Sequence, residues 1–257
     1  MKTPRNAAIT GGGSGLGAAA IRKLHSSGAK VVIADIDESR AQALALELDP
    51  SSRTSLGVRC DITQPDDCET LIARAEGFFD GPVQVFLANA GAGFAGSLTQ
   101  ADPLQIKRVI DTNLTGSVMS ARAALRSMLK GRDGVLLFTS SLQGVMARSQ
   151  RSIYTATKHG IIGLVKALAL EYGPHGIRVN SIAPASTDTA FLRGQFERLG
   201  HSDIDSSVAQ VAKSMPLGHL PDVSDFAEAV LFLSSSAAKS ITGHTLVIDC
   251  GASAGRM

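Results

Sequence analysis

The chain has 257 residues, 44% hydrophobic and 19% charged, near ordinary globular values, which excludes a disordered chain and leaves room for one or two domains. Twenty-five basic and 23 acidic residues give a formal charge of +2, so nothing marks a nucleic-acid binder. Three cysteines (Cys60, Cys68, Cys250) without a C-x-x-C pair argue against a disulfide framework or a bound metal, and no apolar run approaches the ~20 residues a membrane span needs. With no signal-peptide pattern at the start, the expectation is a cytoplasmic protein.

In chain order, strands are expected at 6–10, 30–35, 55–60, 83–88, 134–139, 177–182 and 245–249. Helical periodicity occupies 15–27, 39–48, 66–79, 103–129 and 152–171. Several strands are continuous apolar runs, such as Val31-Val32-Ile33-Ala34 and Val135-Leu136-Leu137-Phe138, as in strands covered on both faces. Strand–helix alternation with short loops predicts an α/β fold. It would be a Rossmann-type doubly wound parallel sheet of about seven strands, with helices on both faces. No linker or repeat divides the chain, so residues 1–257 read as one domain. The irregular stretch 185–220 reads as a lid or as carrying small helices of its own.

The first strand runs into Thr10-Gly11-Gly12-Gly13-Ser14-Gly15-Leu16-Gly17. Glycines at a strand-to-helix turn let backbone approach a pyrophosphate, and the helix N-terminus offers free N–H groups. The spacing is G-x-x-x-G-x-G on Gly11, Gly15 and Gly17, without the G-K-[ST] of an ATP-type loop. Asp35 ends the second strand, 18 residues after Gly17. A carboxylate there can accept both adenosine ribose hydroxyls and repels a 2′-phosphate. Neither Ser14 nor Ile36 offers a cation for that phosphate, so NAD is favoured over NADP. The competing reading makes Asp35 a cap for the next helix, a role Asp37 or Ser39 fills equally well.

Tyr154 and Lys158 lie at i and i+4, on one helical face about 5–6 Å apart. A nearby ammonium favours a phenolate, so the pair can form an acid/base working near neutrality. Alone this spacing is a common accident. Here Ser141 follows the fifth strand, Asn89-Ala90-Gly91 follows the fourth, and Asn113 interrupts an otherwise apolar helix face. In an open parallel sheet, ligands bind beyond the carboxyl ends of the strands, where these residues fall.

Together these residues resemble the short-chain dehydrogenase/reductase family, in its shorter single-domain branch, over nearly the whole chain. The matches are Thr10-Gly11-x-x-x-Gly15-x-Gly17, Asp61, Asn89-Ala90-Gly91, Asn113, Ser140-Ser141, Tyr154-x-x-x-Lys158, Arg178-Val179-Asn180, and Pro184 followed by Thr189. The resemblance implies that Tyr154 exchanges a proton with the substrate oxygen and that Lys158 lowers its pKa and binds the nicotinamide ribose. Ser141, 13 residues before the tyrosine, orients the substrate, and Asn113 supports a proton relay. Asp61 and the Ile62 N–H contact adenine, Asn89 steadies the central strands beside Ala90 and Gly91, and Pro184, Thr187 and Thr189 border the nicotinamide. Ala185, Thr187 and Cys250 depart from the common Pro-Gly, Val/Ile and Asp-Gly-Gly patterns. The implied activity is NAD-dependent interconversion of a small secondary alcohol and a ketone by a homotetramer or homodimer.

Phe94, Gln143, Met146, Phe191, Leu192 and Phe196 are candidates for the substrate pocket, with Arg148, Arg151 and Arg193 as candidates for an anionic group. His159 reads as packing, and His175 and His244 as turn or surface residues. The alternatives are an NADPH-dependent carbonyl reductase, such as a 3-oxoacyl thioester reductase, and a non-catalytic NAD-binding regulator.

Overall fold

Short runs of Val, Ile, Leu and Ala become seven strands in the computed structural model, which describes residues 6–255. They are β1 (Asn6–Thr10), β2 (Lys30–Asp35), β3 (Ser55–Arg59), β4 (Val85–Ala88), β5 (Gly134–Thr139), β6 (Ile177–Pro184) and β7 (Thr245–Ile248). They form one parallel sheet in the order β3-β2-β1-β4-β5-β6-β7. β1 therefore pairs with both β2 and β4, and the chain reverses its winding between them. Crevices that hold ligands open at such a reversal, beyond the strand ends.

The longer helices are α1 (Gly15–Ser26), α2 (Glu38–Leu48), α3 (Pro65–Phe79), α4 (Pro103–Ile110), α5 (Ser117–Gly131), α6 (Ser152–Tyr172), α7 (Ala190–Arg198), α8 (Ile204–Lys213) and α9 (Val223–Ser234). Side chains on a strand alternate between faces, so each strand feeds two cores. Ala8, Val32, Phe86, Leu136 and Val179 pack on one side against residues such as Leu71 of α3, Leu125 of α5 and Val165 of α6. Ile9, Ile33, Leu87 and Leu137 pack on the other against Ile21 of α1, Leu44 of α2 and Phe226 of α9. Burial on both faces explains why these strands read as unbroken apolar runs.

Two features differ from the sequence expectation. The helix expected over 103–129 is divided by a π turn at Asp111–Gly116, between α4 and α5. Such a turn inserts an extra residue and occurs often at functional sites; here it contains the buried Asn113. Helix α9 was not anticipated, although Asp222 caps it and Asp225 returns a bond to the Asp222 backbone. The capping pattern usually sought has Glu or Gln three residues on, which an Asp does not match. Within 185–220 lie the two small helices α7 and α8. Elsewhere the element ends move by about one or two residues, as helix and strand ends do.

Leu136 is wholly buried in β5, an interior strand flanked by β4 and β6. Leu136→Ala is expected to cost about 2–5 kcal/mol in urea unfolding. A cost below ~1 kcal/mol would contradict tight packing there.

Candidate active site

The glycine turn after β1 is shaped by close approaches. Gly11 and Gly15 have φ of +61° and +52°, the left-handed region that favours glycine. A Cβ on Gly17 would run into the Gly11 carbonyl oxygen and lie 2.7 Å from Asn89 Nδ2. Ser14 begins α1 without a side-chain cap bond. The N–H groups of the first helical turn are therefore left for a ligand. The Gly13 N–H donates to Asp35 Oδ2 at 3.0 Å, and the Asp37 N–H to Asp35 Oδ1 at 3.1 Å. The cap of α2 is Asp37, so the capping alternative for Asp35 does not hold. Asp35 instead ties the glycine turn to β2 at the crevice edge.

A cavity of about 800 Å³ follows the carboxyl ends of the strands. Gly11, Ser14, Gly15, Leu16, Asp35, Asp61, Ile62, Asn89, Ala90, Gly91, Ser141, Tyr154, Lys158, Pro184, Thr187 and Thr189 all line it. Gly17 and Asn113 act from behind its wall. Asn113 accepts the Ala92 N–H at 2.6 Å, returns a bond to the Ala92 carbonyl at 2.9 Å, and donates to Thr157 at 3.3 Å. Its side chain is committed to holding the loop after β4. Asn89 donates to the Gly11 carbonyl at 3.0 Å and accepts from Thr139 at 2.9 Å. One amide thus links the ends of β1, β4 and β5.

The two serines after β5 are told apart by their bonds. Ser140 is buried and donates to the Lys158 carbonyl at 3.1 Å. Ser141 faces the cavity, where its hydroxyl accepts the Gln143 N–H at 3.2 Å and favours the ionised form of Tyr154. Lys158 is 4% exposed. Its Nζ donates to the Thr139 carbonyl at 2.7 Å and lies 5.7 Å from the centre of the Tyr154 ring. Burial pushes the lysine down to about 8. Burial also raises Tyr154, against the opposing pull of the Ser141 hydroxyl and the Arg151 charge. Desolvation penalises both charged forms, and the ammonium is aimed at a carbonyl.

Sequence reasoning missed several contributors. Thr139 supplies the lysine's acceptor through its backbone, which no side-chain pattern reveals. Gly144 lets the loop reach α6, since a Cβ there would strike Ser140 Oγ and lie 2.8 Å from the Lys158 carbonyl. Arg40 lies beside the glycine turn, with its Nε paired to Asp37 at 3.0 Å. Its place on the first turn of α2 is the signal that could have found it. Cys250, where glycine is common, has φ +49°.

Among the substrate-pocket candidates, Gln143, Met146, Arg148, Phe191 and Leu192 line the cavity. Phe94 and Phe196 do not: both are buried, and Phe196 packs its ring on His201. Arg193 is held by Asp188 and Asp205 at 2.8 Å each, so it is no free anion ligand. His159 is exposed and contacts the Thr155 carbonyl, so it is a surface residue rather than packing.

A family model described as enoyl-(acyl carrier protein) reductase matches residues 11–253. The chain belongs to the short-chain dehydrogenase/reductase family. It is 36% identical to cis-4-hydroxycyclohexanecarboxylate dehydrogenase of Sinomonas cyclohexanicum over 248 residues, 96% of each chain. It is 34% identical to (+)-borneol dehydrogenase 1 of Salvia officinalis, covering 95% of this chain and 92% of that one. Among solved structures it superposes on levodione reductase with a TM-score of 0.92 at 28% identity, covering 98% of this chain and 99% of that one. A 3-ketoacyl-(acyl-carrier-protein) reductase from Brucella melitensis complexed with NADH gives 0.86 at 30% identity, covering 98% of this chain and 100% of that one. The protein is accordingly an oxidoreductase of the alcohol–ketone class.

Lys158 tests the electrostatics. Its folded pKa lies below its unfolded value of 10.5, so the folded chain releases its proton first. The resulting deficit, about 3 kcal/mol, is full below pH 8 and vanishes as pH rises through 10.5. Loss of the bond to Thr139 offsets about 1 kcal/mol of the gain from removing the charge. At pH 7, Lys158→Met should raise the melting temperature of the cofactor-free protein by several degrees, and less at high pH. An unchanged or lowered melting temperature would contradict a buried, costly ammonium.

Proposed function

We propose that this protein is an NAD-dependent dehydrogenase that interconverts a small secondary alcohol and its ketone, with Tyr154 as the general acid/base. The observation that carries the proposal is the convergence of Ser141, Tyr154 and Lys158 on the cavity that also holds the glycine turn and Asp35. The cradle fits a dinucleotide: backbone N–H groups stand at the α1 end, and Gly17 has no room for a side chain. When bound, the nicotinamide cofactor accepts or returns hydride.

The chain's own residues do the rest. Gly11, Ser14, Gly15 and Leu16 would hold the pyrophosphate, Asp35 the adenosine ribose, and Asp61 with Ile62 the adenine. Ala90, Gly91, Pro184, Thr187 and Thr189 would border the remainder of the cofactor. Ser141 holds the substrate oxygen and Tyr154 takes or gives its proton. Lys158 places positive charge under the phenol, and Asn113 keeps the β4 loop against it. Residues 185–220, with α7 and α8, serve as the substrate lid. NAD is supported by the Asp35 carboxylate, and by the pairing of Arg40, beside the glycine turn, with Asp37. The named relatives act on cyclic alcohols, which makes an alicyclic secondary alcohol the first substrate class to try.

A cytoplasmic location is supported by the free, buried Cys60 and Cys68. Among the described residues no helix is long and apolar enough to cross a membrane. Assembly as a homodimer or homotetramer through α4, α5 and α6 is supported by Leu104 and Leu170, which are 76% and 82% exposed. Light scattering at micromolar concentration is expected to show a dimer or tetramer, and a monomer would contradict assembly.

Two kinetic results are expected. Tyr154→Phe should lower kcat for alicyclic alcohols by about 10²–10⁴-fold with little change in KM. Parent-like activity would remove the tyrosine from the chemistry. The parent should favour NAD over NADP in kcat/KM, and Asp35→Ala should cut that ratio by about tenfold or more. A parent preference for NADP would overturn the cofactor assignment.

A further inference from the structure

The far end of the cavity, beyond Tyr154, has an unusual charge balance. Arg151 is only 7% exposed, and its Nη1 donates to the Phe94 carbonyl at 2.9 Å. Gly93 is the next residue back along that loop. A Cβ built there would lie 3.5 Å from Arg198 Nη2, 3.3 Å from the Phe191 ring and 3.0 Å from Gln195 Nε2. Phe191, Gln195 and Arg198 occupy i, i+4 and i+7 of α7, so one face of the lid leans over the β4 loop. Arg148 lines the cavity from the loop after β5, together with Phe191 and Gln195.

Three guanidinium groups thus gather where the lid meets the β4 and β5 loops. Burial is the main reason the cationic form of Arg151 is disfavoured, and the charges of Arg148 and Arg198 add to it against an opposing pull from Tyr154. Among the described residues none of the three takes part in an ion pair. The carboxylates of Asp188 and Asp205 are taken by Arg193, and Glu197, beside Arg198 on α7, makes no ion pair with it. A buried cation with two cationic neighbours and no paired carboxylate is costly unless an anion completes it. Guanidinium groups suit carboxylate and phosphate oxygens by paired N–H donation.

We propose that this end of the cavity is an anion subsite, so that the substrate is a secondary alcohol or ketone bearing a carboxylate or phosphate group away from the reacting carbon. Arg148, which lines the cavity, contacts that group directly, and Arg198, beside Gly93 at the lid edge, adds a second cation at the rim. Arg151 fixes the Phe94 loop and supplies background charge. The proposal rests on the alcohol–ketone reading for where the reacting carbon sits, but the subsite can be measured without turnover.

Calorimetry with the full protein and saturating NADH tests it, using cyclohexanecarboxylate, cyclohexyl phosphate and neutral cyclohexanecarboxamide. An anion should bind about tenfold more tightly than the amide, and added salt should reduce that advantage. The tighter anion identifies the group recognised. In Arg148→Gln/Arg198→Gln, most of the advantage should disappear while the melting temperature stays at the parent value. Equal binding of all three probes, no binding of either anion, or an advantage that survives in a folded double variant would overturn the subsite. Should the double variant not fold, the parent's anion preference and its salt dependence still decide. Turnover of the corresponding alcohols is scored separately: anion binding without oxidation of any alcohol would count against the reaction and leave the subsite standing.

Discussion

A lysine ammonium buried beneath a phenol is the constraint around which the rest of this molecule is arranged. Among the described residues Lys158 Nζ has one acceptor, the carbonyl of Thr139 that ends β5, and the Lys158 carbonyl accepts from Ser140, the next residue along the chain. That geometry requires α6 to lie close against the β5 loop, which Gly144 permits by having no side chain. The arrangement lowers stability at neutral pH, because burial opposes the charge that the site needs. Proteins commonly carry such local costs at sites where chemistry is done.

The opposite end of the cavity is stitched by small polar bonds. Asp35 holds the glycine turn, and Asn89 spans from Gly11 to Thr139. The glycine turn and the phenol are thereby fixed to one sheet edge rather than to independent loops. Asn113 extends the same logic behind the wall, where a π turn places both ends of its amide on Ala92. A regular helix over 103–129 would have left the β4 loop without that anchor.

Much of this was legible in the sequence because it is carried by side-chain type and spacing. Unbroken apolar runs marked strands covered on both faces. Gly11, Gly15 and Gly17 marked the turn, and Tyr154 with Lys158 marked the helix face. Less legible were features set by backbone and by tertiary approach. The Thr139 carbonyl, the empty space at Gly144 and the π turn leave no trace in residue type. Arg193 looked like an available cation until the fold brought Asp188 and Asp205 to it, whereas Arg198 drew no notice until α7 placed it over Gly93. Phe94 and Phe196 were misplaced because an aromatic near a pocket is as easily beneath its wall as in it.

The phenol itself carries the central claim. In the cofactor-free protein burial holds Tyr154 above the ordinary tyrosine range, too high for a base near neutrality. On the proposed reading the phenol needs another positive charge nearby to act as a base near neutrality, and a bound oxidised nicotinamide ring would supply one, coupling proton transfer to cofactor occupancy. The chain has two tyrosines and no tryptophan, so phenolate absorbance can be titrated cleanly, with Tyr154→Phe assigning the signal. Bound NAD should move the Tyr154 titration down from its cofactor-free position toward neutral pH. A titration that stays in place or moves upward when NAD binds would contradict a phenol poised by its surroundings as the acid/base.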